Sequence, residues 1–127
     1  MKIRLPQKFA IFIGGYTGPS YKLELKDGRL LYSQFEYGHQ LKNTKWLTPN
    51  AKQWEAFWKS VDSIDIWNWE KEYIDSTILD GTSWSIDIKL DEKIISSKGI
   101  NSYPANDVKI QSFLEAVSTL IDNEEFS

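Results

Sequence analysis

A chain of 127 residues, 41% hydrophobic and 26% charged, suits one soluble domain with a single core. The absence of Cys excludes disulfides, thiolate zinc sites and cysteine nucleophiles. A formal charge of -3, with no run of Lys and Arg along the chain, argues against nucleic acid as a partner, because phosphate contacts need a clustered basic surface.

The N-terminal "MKIRLPQKFAIFIGGYTG" places basic residues before an apolar run, but Phe9 to Ile13 is shorter than the ~7–15 residues of a signal-peptide core and Pro6 interrupts the approach. No stretch approaches transmembrane length. The chain therefore reads as soluble and cytoplasmic with no membrane partner, the alternative being a mature form whose leader was trimmed.

The segment from Phe9 to Tyr16 is rich in strand-forming residues. In "YKLELK", Tyr21, Leu23 and Leu25 alternate with Lys22, Glu24 and Lys26, the pattern of a half-buried strand. Asp27-Gly28 supplies the positive φ angles of a two-residue hairpin turn, and "RLLYSQFE" returns as the partner strand. The following "YGHQLKNTKW" has no period and reads as a loop. Thr48 as N-cap and Pro49 at the first helical position then predict a helix over 49–63, with Ala51, Trp54, Phe57, Trp58, Val61 and Ile64 on one face.

Ile66 to Trp69 reads as a short strand, on which a two-residue period turns either Ile66 or the pair Trp67 and Trp69 outward. An excursion follows. Alternation resumes in "TSWSIDIKL", where Trp84, Ile86, Ile88 and Leu90 share a phase, and Asp91-Glu92 turns the chain into "KIISSK". A second amphipathic helix spans 106–122, with Asp107 in its first turn and Phe113, Leu114 and Val117 among its apolar residues. These elements predict one α+β domain over residues 1–127, an antiparallel sheet of about five strands carrying both helices on one face. Trp54, Trp58, Trp84, Phe113 and Leu114 are assigned to its core.

No catalytic set assembles. The lone His39 sits in a polar segment without a serine-nucleophile motif and reads as a surface histidine. One His and no Cys leave only carboxylates for metal, without EF-hand spacing, and Gly14-Gly15 matches no phosphate-binding loop, so no metal or cofactor is expected. Glu70, Glu72, Asp75, Asp80 and Asp87 stand near aromatic residues and could supply the two carboxylates of glycoside hydrolysis, although acidic residues of a small domain are ordinarily a solvated surface.

The stretch from Ile64 to Trp84 concentrates three tryptophans and a tyrosine. A fully buried aromatic side chain contributes on the order of 4–6 kcal/mol before entropy, so most of these rings must be structural. Trp84 belongs to the core phase of its strand, whereas "NWEKEYIDST" lacks a sustained period and reads as an exposed or half-exposed rim. The candidate binding residues are therefore Trp67, Trp69, Tyr73, Asp75 and Asp80 on that rim, with Asn101 and Tyr103 of the adjoining "GINSYP" turn.

The order of a hairpin at Asp27-Gly28, an aromatic helix, "DGTSW" at 80–84 and "GINSYP" at 99–104 before a terminal helix resembles a group of small bacterial proteins of unknown function. The resemblance spans most of the chain. It implies a bacterial α+β domain, carries no activity with it, and assigns no catalytic residue.

Two functions fit the residues. The first is a non-catalytic binding protein that engages a protein partner, of the kind that neutralises a basic one, as small acidic bacterial immunity proteins do. The second is a small-ligand or carbohydrate site, with a sugar stacked on Trp67 or Trp69 and bonded by Asp75 or Asp80, weak hydrolase activity being a subset of it.

Overall fold

The computed structural model describes residues 3–15, 18–74, 82–100 and 108–126. Seven strands, β1 (Lys8–Gly14), β2 (Ser20–Lys26), β3 (Arg29–Glu36), β4 (Gln40–Leu47), β5 (Glu72–Ile74), β6 (Ser83–Leu90) and β7 (Lys93–Ile100), form one sheet, joined by helices α1 (Ala51–Ser63) and α2 (Val108–Leu120). The strand order is β4-β3-β2-β1-β6-β7-β5. Every neighbouring pair is antiparallel except β5 with β7.

The hairpin turns where expected. Asp27 and Gly28 both have positive φ, 53° and 77°, as the tight turn between twisted strands requires, and Lys26 faces Arg29 across it. A second turn carries Asp91 at φ 56° between β6 and β7.

Side-chain alternation then divides the sheet into two unlike faces. Phe9, Ile11 and Ile13 of β1 face Ile88, Ile86 and Trp84 of β6, and all are buried. Leu23 and Tyr32 continue that face into β2 and β3. Both helices cover it. Trp54 and Phe57 of α1 pack against Phe9 with ring centroids 5.5 and 5.6 Å apart, and Phe57 meets Phe113 of α2 at 6.2 Å. Trp54, Trp58, Trp84, Phe113 and Leu114 all lie in this core.

The sheet has seven strands rather than about five, and the two additions have physical reasons. The segment read as a loop after Glu36 contains β4, an edge strand exposed on both faces until Leu47. Alternation is a record of one-sided burial, so a strand with no buried side leaves no period to read. β5 has only three residues, of which two are exposed, too few to carry a pattern.

Two local readings also change. The N-cap of α1 is Asn50 rather than Thr48, through a capping box in which Asn50 Oδ1 accepts from Gln53 N–H and Gln53 Oε1 accepts from Asn50 N–H, both at 2.9 Å. Ile66–Asn68 is a 3-10 turn, not a strand. Asp107, assigned to the first turn of the second helix, lies outside the described residues, as does the His39 side chain.

Candidate functional site

The 3-10 turn decides the fate of the rings in the 64–84 stretch. Its three-residue repeat places Ile66 and Trp69 on the same side, facing inward, and turns Trp67 away. Trp69 is only 8% exposed, and its indole N–H donates to the Ile64 carbonyl at 3.1 Å. It meets Trp84 edge-on at 6.3 Å and Phe113 at 6.1 Å. Tyr73 is half-buried, 5.8 Å from the Trp84 ring, and its hydroxyl accepts from the Glu70 N–H.

The expected exposed rim at 67–75 is thus corrected in its central residue. Trp69 is core, because its body packs on Trp84 and its polar tip is already satisfied by backbone. Trp67 remains half-exposed, donating to Asp62 Oδ1 at 2.7 Å with Lys93 Nζ 5.7 Å from its ring centroid. Asp75, Asp80, Asn101 and Tyr103 lie outside the described residues, and so does most of the "GINSYP" turn.

The face of the sheet away from the helices carries functional groups that no local pattern of the sequence brings together. The register lines its side chains into rows across the strands. One row runs through Trp46, Leu31, Glu24, Ala10, Asp87 and Ser96, from β4 to β7. Trp46 is 46% exposed, and the Arg29 guanidinium carbon lies 4.4 Å from its ring centroid. Leu41, further along β4, is 61% exposed.

A second row, at the hairpin end, is cationic across β3, β2, β1 and β6 and ends on β7 at the exposed Ile94, which faces Lys89. Lys26 faces Arg29 and Lys8 faces Lys89. Since Ala10 pairs with Glu24, the next outward positions, Lys8 and Lys26, stand side by side on the remaining neighbouring strands. With Lys22 and Lys98, the outward positions of β1, β2, β3, β5, β6 and β7 carry six cations against the three carboxylates Glu24, Glu72 and Asp87. The clustered basic surface that no run of the sequence displays is therefore assembled by strand pairing.

Across the same face, Glu72, Ser85, Asp87, Ser96 and Lys98 line a hollow of about 380 Å³. Ser96 Oγ donates to Asp87 Oδ1 at 2.7 Å, and Lys98 pairs with Glu72 at 3.6 Å. Of the five carboxylates considered for hydrolysis, the structure brings Glu72 and Asp87 to one hollow. Phe12, half-buried, faces Ser85 at its margin.

Among the described residues, the two groups whose titration departs from the ordinary lie on the opposite, covered face. Burial, reinforced by the charge of Glu124, pushes the Tyr32 hydroxyl up to about 12, and burial with a hydrogen bond to Glu125 raises that of Tyr21. Tyr32 donates to the Glu125 carbonyl at 2.6 Å, and Phe126 packs on both tyrosine rings. These tyrosines fasten the segment after α2 to the sheet. Among the described residues no group of three or more His, Cys, Asp or Glu is placed to hold a metal ion, and no helix is long and apolar enough to cross a membrane.

No protein-family model matches the chain, and no curated protein matches it in sequence.

Proposed function

We propose that this protein is a non-catalytic binding protein that docks a protein partner on the open face of its sheet. The observation that carries the reading is the inequality of the two faces: both helices pack on one, while the other leaves Trp46 and Leu41 exposed beside a dense set of charges. Aromatic residues and Arg are the side chains that most often anchor protein interfaces. Here Arg29 and Trp46 are already in contact, so little side-chain freedom remains to be lost on binding.

A photo-crosslinking amino acid at position 46, compared with one at Glu115 on the exposed side of α2, tests this reading in the source cell. A discrete heavier species from position 46 and none from position 115 is the expected result. Capture only from position 115, or from neither, would remove the open face as the binding surface.

A second reading rests on the hollow between β6, β7 and β5. Two carboxylates, two serines and the neighbouring Phe12 ring are groups that bond and stack a small polyol or sugar. Calorimetric titration with a glycan panel tests it. Heat released with wild type and abolished in Asp87→Ala is the expected result, and no heat with any glycan would dismiss it.

A further inference from the structure

We infer that the occupant of the open face is an acidic protein surface, not the basic one that the net charge of the chain suggests, recognised by the cationic row Arg29, Lys26, Lys8 and Lys89; the inference rests on the binding reading above and names its partner chemistry. Neighbouring strands are ~4.8 Å apart, so a row across the four adjacent strands β3, β2, β1 and β6 spans roughly 15 Å. That length matches a line of carboxylates on a partner, for instance along a helix, where residues three and four apart stand ~5–6 Å from one another.

The row is costly for the isolated chain. Like charges directly opposite one another on paired strands are destabilising, and the register opposes Lys8 to Lys89 and Lys26 to Arg29. Lys26 finds internal relief in Glu24 at 3.4 Å. Neither Lys8 nor Lys89 forms an ion pair among the described residues. An anionic surface laid on the row turns that repulsion into attraction.

The chain as a whole is acidic, at -3. Its helical layer contributes to that sign, since residues 51–65 and 108–126 carry seven carboxylates against Lys52, Lys59 and Lys109, so the charge differs in sign between the two layers. Such an arrangement steers an acidic partner to the sheet and away from the helices.

Protein suits the face better than nucleic acid because the row beside the cations alternates apolar and acidic residues. Leu31, Glu24, Ala10 and Asp87 follow one another across it. Glu24 and Asp87 would repel a continuous phosphate backbone, whereas a protein surface can set its own apolar and basic groups against them.

Retention on immobilised poly-L-glutamate at low salt tests the inference, with immobilised polyuridylate as the parallel column. Wild type, despite its net negative charge, should be retained on polyglutamate. The variant Lys8→Glu/Lys26→Glu/Lys89→Glu should pass through, while Lys52→Glu/Lys59→Glu/Lys109→Glu, with the same net charge but altered on the helices, should be retained like wild type. Circular dichroism establishes that each variant is folded.

Passage of wild type through polyglutamate, or equal loss in both variants, would overturn the inference, and stronger retention on polyuridylate would overturn the choice of protein as occupant. If polyglutamate fails while crosslinking from position 46 still captures a partner, the acidic surface is wrong and the binding reading stands. If position 46 captures nothing, the reading falls and the inference with it.

Discussion

Arg29 and Trp46 sit on adjacent strands, and the guanidinium carbon of the first lies 4.4 Å from the ring centroid of the second. An exposed cation–π contact of this kind is worth ~0.5–1 kcal/mol, too little to account for keeping a tryptophan nearly half exposed. Its consequence is orientation: the ring is held at the end of a row of side chains on the face that, among the described residues, neither helix covers.

Trp46→Ala should therefore lower stability by about 2 kcal/mol, less than the ~3–5 kcal/mol of a core tryptophan, while weakening partner capture. Urea unfolding and the crosslinking yield from a neighbouring outward position, Leu31, measure the two effects separately. A loss of several kcal/mol would show that Trp46 is structural.

Trp67 and Trp69 should part company. Trp69→Ala removes a ring packed on Trp84 and Phe113 and should cost ~3–5 kcal/mol, as Trp→Ala does in cores. Trp67→Ala, at a half-exposed ring, should cost well under half of that. Equal costs in urea unfolding would contradict the 3-10 geometry.

Gly14→Ala should be severely destabilising. The φ of Gly14 is 153°, and a Cβ there would lie 2.3 Å from Ser20 Oγ and 2.5 Å from Ser20 Cα. Backbone cannot yield as a side-chain tip can, so a loss on the order of 3 kcal/mol or more is expected. A melting temperature within a few degrees of wild type would show that β1 and β2 are not so closely apposed at this point.

Stability should fall at alkaline pH through Tyr32. Its folded pKa is raised to about 12 from 10.0, so the stabilisation is complete below pH 10 and is lost as the pH rises toward 12. Two units correspond to roughly 2–3 kcal/mol. Urea midpoints measured across that window should drop steeply for wild type and less steeply for Tyr32→Phe, and parallel slopes would contradict the assignment.

The sequence revealed buried alternation and little else of the sheet. Trp84, Ile86, Ile88 and Leu90 were legible because one-sided burial writes a period into the chain, and Asp27-Gly28 because its turn demands positive φ. β4 was not legible, since residues exposed on both faces carry no period. The division of Trp67 from Trp69 depends on the three-residue repeat of a 3-10 turn, which the two-residue period of a strand does not reproduce. The cationic row had a partial signal, in that Lys8, Lys26 and Lys89 each occupy an outward phase, but their neighbourhood exists only through register between strands distant in sequence. Nothing local specifies which lysine of one strand meets which lysine of another.

Fluorine NMR of the protein labelled with 5-fluorotryptophan tests most directly the claim that an acidic surface docks on the open sheet face. The six tryptophans report from distinct places, Trp46 on that face, Trp67 on the rim, and Trp54, Trp58, Trp69 and Trp84 in the core. On titration with poly-L-glutamate, the Trp46 resonance should shift progressively while the other five hold still. A shift of Trp67 with Trp46 unmoved, or no shift of any resonance, would contradict that claim.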